Sequence, residues 1–378
     1  MSRDPDSFQS RWRNARRYTV LVFLVLALAA GWTGLWKFAA GKAQETLDGW
    51  RAREAKVGRV YACGTETVAG YPFRIELTCD RASAVLQHNQ PPLELKLANI
   101  LVAAQVYQPT LLVSEYISPL TAAAPGHQPT YVANWKLARS SVRGTPASPE
   151  SVAIMLESAA LDRLNGSARE TMVRAKHIEI HGRMLEGSAR SNPVIEVSLN
   201  LKKTSAPAVN PLATAPIDAD IDAVLRGLKD FSPKPWPDRF REIQAADGRI
   251  EINKARVQQG DTIAVGSGVL GLNAQGKLQG QLRVTVTGLE PFLKNIGADR
   301  MVQSSPSVDK LAGALNRLMP GLGGIARQQA GANLSAGISL LGEPATLEGK
   351  RAVALPLRFD DGRIFLGPIP IGKSPELF

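Results

Sequence analysis

Histidine and cysteine are scarce: four and two residues in a chain of 378. So few ligands exclude a haem-rich, zinc-ribbon or disulfide-dense protein. Aromatic residues make up only 6%, against 33 glycines and 25 prolines. That mix favours many short elements joined by turns over long helices. A Gly-x-Ser-x-Gly elbow is missing, and no thiol is left over if the two cysteines pair, so nucleophilic catalysis has no carrier. The formal charge of +11 invites a nucleic-acid reading. No basic cluster with interleaved aromatics follows residue 36, however, and Lys and Arg alternate with Asp and Glu.

What is present begins at the N-terminus. Arg3, Arg11, Arg13, Arg16 and Arg17 precede an uncharged run, Tyr18 to Trp36. As a helix this run would span about 28 Å, close to the roughly 30 Å hydrocarbon core of a bilayer. Trp12 and Tyr18 at one end and Trp32 and Trp36 at the other suit the two interfaces. Five arginines before the span predict a cytoplasmic N-terminus with everything after Lys37 on the far side. A cleaved signal peptide is the competing reading, but its apolar core is about 7 to 15 residues long, and this one is longer. Of the +11, a share of +3 belongs to the first 17 residues and +8 to the rest. For a translocated domain that charge suits anionic phospholipid or lipopolysaccharide.

Cys63 and Cys79 flank Val68-Ala69-Gly70-Tyr71-Pro72, which has the content of a turn. A hairpin pivoting at residue 71 sets the cysteines opposite each other, with Phe73, Ile75 and Leu77 facing inward beside them. An oxidising compartment favours a disulfide over two buried thiols.

Period-two alternation dominates the remainder. Leu93, Leu95 and Leu97 form one apolar set, followed by Ile195, Val197, Leu199 and Leu201. Leu278, Leu282, Val284 and Val286 form another, and Val353, Leu355, Leu357 and Phe359 the last, before the turn Asp361-Gly362. One apolar and one polar side mark antiparallel strands with one face toward water. Helical spacing is expected over Val308 to Met319 and, more briefly, over Ile217 to Leu228. The expected organisation is a basic tail (1–17), a transmembrane helix (18–36), a membrane-proximal helix (37–59) and a first β half (60–203). A Pro/Ala linker (204–216) and a second β half with helices (217–378) complete it. The fold class is mainly β: a large curved antiparallel sheet with a few packing helices.

Three motifs suggest chemistry, and each has a plainer reading. Gly266 to Gly271 matches a dinucleotide fingerprint, but turn and strand follow it, so no helix N-terminus awaits a pyrophosphate. His177, Glu179 and His181 would line one face of a strand and could ligate zinc or iron, yet they equally serve as its polar side. Asp360 and Asp361 are adjacent, so on a strand they point to opposite faces and cannot converge on one substrate. No cofactor, metal site or enzymatic activity is expected.

The basic tail and span of residues 1 to 36 and the Gly-Tyr-Pro-Phe-Arg hairpin between the cysteines resemble a family of uncharacterised bacterial proteins with one inner-membrane anchor. GKLQGQLRVTVTG (276–288) and DDGRIFLGPIPIG (360–372) extend the likeness, which is distantly AsmA/TamB-like. The resemblance implies a periplasmic β-sheet with an apolar groove and a role in envelope lipid homeostasis or transport. At 378 residues the chain is short for bridging the periplasm. The groove candidates are Phe73, Ile75, Leu77, Leu93, Leu95, Leu97, Ile195, Val197, Leu199, Leu278, Leu282, Val284, Val286, Leu355 and Leu357. The alternative function is a structural or assembly partner of other envelope proteins.

Overall fold

A computed structural model describes residues 6–145, 148–166, 168–208, 213–232, 234–288, 342–366 and 369–374. The helix expected over Val308 to Met319 lies outside the described residues, as does Arg3. Among those described, antiparallel strands predominate and two helices occur. The chain divides into two compact units: residues 1–117 with 122–128, and residues 118–121 with 129–378.

In the first unit, α1 (Asp6–Lys56) is one continuous helix of 51 residues. Its transmembrane and membrane-proximal parts are not separate elements. Leu- and Ala-rich sequence without proline allows such a length, and side chains from Arg16 to Ala30 are exposed throughout. The helix is long and apolar enough to cross a membrane. Beyond Trp36 its surface changes: Ala40, Ala43, Leu47, Arg51 and Glu54 form a less exposed stripe at helical spacing. From that stripe Glu54 pairs with Arg59 of β1 (Arg59–Ala62), and the adjoining Trp50 stacks on Tyr61 at 4.7 Å.

β1 and β2 (Thr65–Ala69) pair with successive stretches of β3 (Arg74–Leu86), which pairs in turn with β4 (Leu93–Gln105). β5 (Gln108–Ala123) follows. Cys63 and Cys79 are bridged, with Cα atoms 5.4 Å apart. The expected register needs correction. Ala62 pairs with Ser83 and Thr65 with Asp80, so Glu66, not Cys63, lies opposite Cys79. The turn extends through Phe73, which moves the pivot past residue 71, and the bridge springs from the break between β1 and β2. Phe73 consequently sits beyond the strand and is 65% exposed instead of facing inward.

The second unit is a meander. β6 (Tyr131–Asn134) and β7 (Leu137–Thr145) both pair with β8 (Ser148–Asn165). From there β9 (Ala168–Ser188), β10 (Ser191–Thr204), β11 (Ile217–Leu225), β12 (Arg249–Gln259), β13 (Thr262–Leu272) and β14 (Leu278–Thr287) each pair with the one before. β16 (Lys350–Asp360) adds to β14, and its other edge carries β15 (Glu343–Leu347) and then β17 (Arg363–Leu366). β18 (Ile369–Lys373) pairs with β17. The Asp361-Gly362 turn is as expected, both residues having positive φ (47° and 73°) between the paired Asp360 and Arg363.

One expectation differs here. Ile217 to Leu225 is strand, not helix, because Ile217, Ala219, Ile221, Ala223 and Leu225 alternate strictly with polar or β-branched neighbours. The Pro/Ala segment 204–216 joins β10 to β11, which pair directly and lie in the same unit. α2 (Trp236–Ala245) follows Pro235 and packs Ile243 against the backbone near Gly227 and Gly248. Arg239 ties it down, donating to the Asp230 carbonyl at 2.8 Å and to Glu242 at 2.7 Å.

Candidate functional site: an apolar face across nine strands

In an antiparallel sheet, directly paired residues share a face. Following the register across the second unit gives three parallel rows. The first runs Val142, Val152, Gly182, Val197, Ala223, Ile252, Gly268, Leu282, Leu357. The second runs Ser140, Ile154, Ile180, Leu199, Ile221, Ala255, Gly266, Val284, Leu355. The third runs Ala138, Leu156, Ile178, Leu201, Ala219, Val257, Ala264, Val286, Val353. Ser140 carries the single hydroxyl in this set and no residue of it is charged. Nine strands at about 4.8 Å spacing make a strip roughly 38 Å across. A shift of register in β12 between Ile252 and Ala255 allows two residues three apart to stay on the same side.

The strip is unevenly covered. Val286 and Leu355 are 0% and 3% exposed. At the other end Val152, Ile154 and Ile180, which adjoin one another through the β8–β9 register, are 37%, 38% and 38% exposed. Between them β13 presents Ala264, Gly266 and Gly268, so beside Leu282 and Val284 lies a lane with almost no side chains. Gly268 is required there: its φ is +150°, and a Cβ would lie 2.2 Å from the Gln281 carbonyl oxygen.

The opposite side is polar and ion-paired. Asp220 pairs with Lys254 at 3.6 Å, Arg183 with Glu196 at 2.8 Å and Arg256 with Glu348 at 2.6 Å. An open depression of about 640 Å³ lined chiefly by Ser267, Gln281, Arg283, Pro356 and Arg358 lies there. Its two arginines are already paired, Arg283 with Glu343 and Arg358 with Asp360, so it offers no uncompensated charge.

Of the groove candidates, Ile195, Val197, Leu199, Leu278, Leu282, Val284, Val286, Leu355 and Leu357 fall on this one face. Apart from Phe73, those of the first unit lie on β3 and β4. Leu95 pairs with Ala84, which pairs with Tyr61, placing it on the side where Tyr61 stacks on Trp50 of α1. Leu93 and Leu97 share that stretch of β4, while Leu77 pairs with Val68, and Glu66 on the same face of β2 binds Arg51 of α1 at 2.7 Å. The sequence reading missed Val152, Ile154, Ile221, Ile252 and Val257. Alternation in Ser151-Val-Ala-Ile-Met-Leu156 was the available signal.

His177, Glu179 and His181 stand on the polar side as a hydrogen-bonded ladder. His177 Nδ1 meets Glu157 Oε1 at 2.6 Å and His181 Nε2 meets Glu179 Oε1 at 2.8 Å. Among the described residues no group of three or more His, Cys, Asp or Glu is arranged to hold a metal ion. The bond to Glu157, opposed by burial and reinforced by Glu179, holds the His177 imidazole above its usual range. A raised folded-state value stabilises the protein below the unfolded value and loses that contribution as pH rises through the folded one. His177→Gln is therefore expected to lower stability at acidic pH, with the gap shrinking as pH rises through the titration of His177. Thermal unfolding of both proteins across that range checks it; a gap that widens with pH would reverse the assignment.

The chain is thus a mainly antiparallel β protein with an N-terminal helix able to cross a membrane and one apolar sheet face. It belongs to the family described as "Uncharacterized protein conserved in bacteria (DUF2125)", which matches residues 36–375. A search of curated proteins found no match. The family match carries no AsmA/TamB likeness with it.

Proposed function

We propose that this is a single-pass bacterial inner-membrane protein whose bulk lies in the periplasm and whose second unit holds the acyl chains of a lipid on its apolar face. In this reading it binds and does not catalyse. The carrying observation is the register: three aliphatic rows continue across nine strands, and the end at Val152, Ile154 and Ile180 is open to the outside. Contiguous exposed apolar surface of this kind marks an interaction site. Acyl chains suit it, since each buried methylene contributes about 0.8 kcal/mol and the three rows carry a single hydroxyl and no charge. Two independent features support the compartment: five arginines before the span and a disulfide after it.

The test uses the full chain in cells. Benzoylphenylalanine replacing Ile180 should give photo-adducts with the mass of a phospholipid or lipopolysaccharide acyl chain, whereas the same group replacing Arg183 on the polar side should not. A reporter active only outside the cytoplasm, fused after Phe378, should be active, with the mature N-terminus retained. Protein adducts without lipid at Ile180 would favour an assembly partner instead. A mature chain starting near Gly31 or Gly41 would replace the anchor with a cleaved signal.

A further inference from the structure

The first unit presents three large aromatic side chains at one end of its strands. Tyr71 and Phe73 occupy the β2–β3 turn and are 52% and 65% exposed. Tyr107, in the β4–β5 turn, is 70% exposed. The two turns are neighbours: Val106 N–H donates to the Phe73 carbonyl at 3.0 Å, and Arg74 pairs with Gln105. In a chain with 6% aromatics, three such exposed rings are gathered at this one end.

Their position along α1 is fixed. Trp32 Nε1 donates to the Pro72 carbonyl at 2.9 Å and Trp36 Nε1 to the Arg74 carbonyl at 2.8 Å. Thr33 Oγ1 meets the Tyr71 hydroxyl at 2.8 Å, and the Trp36 and Tyr71 rings meet edge to face at 5.6 Å. These contacts fall on the last turn before Lys37, the first charge after the uncharged run. From Tyr18 to Trp36 the helix rises about 27 Å, nearly the hydrocarbon thickness. Whatever is bound to Trp32 and Trp36 therefore sits at the far edge of the hydrocarbon layer.

We propose that Tyr71, Phe73 and Tyr107 form a membrane-seated rim, their rings entering the headgroup and upper acyl region of the leaflet from which α1 emerges. Aromatic rings concentrate at that depth, where an apolar body and a wet surrounding coexist. Lys37 and Arg74, both exposed, flank the rings, Arg74 also pairing with Glu76 at 2.7 Å. The rim rests on α1 spanning a bilayer; it does not depend on lipid being carried by the second unit.

Full-length protein in nanodiscs of phosphatidylethanolamine and phosphatidylglycerol tests this. Because Cys63 and Cys79 are bridged, a single new cysteine takes an environment-sensitive fluorophore without reduction. Labels at Phe73→Cys and Tyr107→Cys should be quenched several-fold more strongly by lipids spin-labelled high on the acyl chain than a label at Asn89→Cys. Asn89 lies past the opposite end of β3, roughly 40 Å along the strand. A label at Leu26→Cys reports the span itself. Strong quenching at Leu26 with Phe73 and Tyr107 no different from Asn89 would overturn the rim and leave the anchor standing. An unquenched Leu26 would remove the anchor, and the rim with it.

Discussion

Leu282→Asp combined with Val284→Asp should abolish lipid adducts at Ile180 while leaving the strands intact. Both residues are half-buried, not fully buried, and both border the lane left open by Gly266 and Gly268. Two carboxylates there would have to be desolvated by any acyl chain lying along the lane. If six methylenes lose their apolar contact, the loss is about 5 kcal/mol, more than a thousandfold in affinity. Gln281→Asp, on the same strand but the other face, should leave adduct yield unchanged. Circular dichroism of the purified variants separates loss of binding from loss of fold. Retained lipid in a folded double variant would remove the apolar face from the proposed function.

The second large effect concerns the bridge. Cys63→Ala and Cys79→Ala should each cost about 3 kcal/mol, the value expected for a loop of this length, the two cysteines being 16 residues apart. The double variant should cost no more than either single one, because all three remove the same bond. Denaturant unfolding followed by the fluorescence of Trp50, with Trp135 and Trp236 of the second unit replaced by Phe, reads the first unit, since Trp50 stacks on Tyr61 next to the bridge. Additive losses would mean that each cysteine contributes by packing alone, and full thiol labelling of denatured wild-type protein would contradict the bridge itself.

Much of this architecture is legible before any coordinates, and the reasons are local. Strands β4, β10, β14 and β16 announce themselves because one side is solvated, so alternation survives in the residue string. The span is a matter of length and missing charge. The errors arise where two periods coincide. In Ile217 to Leu225, Ala219 and Ala223 are four apart as in a helix, and only the intervening aspartates favour a strand. α2 received no reading from the sequence; it begins with Pro235 and Pro237, residue types that mark turns although the first turn of a helix tolerates proline. The candidate face was recovered in three strands and missed in the others, because which strand neighbours which is a property of register over long distances, not of any one segment.

Neighbour-on-neighbour pairing also bears on how the second unit is made. From β8 to β14 every strand docks on the edge left by the strand just before it in the chain. A polypeptide delivered N-terminus first therefore always meets a finished template, and four of the six additions close only a short loop, the longer connections being 205–216 before β11 and 226–248, which carries α2, before β12. The entropy of that closure is small, and at any moment only the newest strand has an unsatisfied edge to offer a wrong partner. Sheet growth by successive hairpins lets a large β structure assemble at the pace of its delivery, without holding a long unpaired chain in reserve.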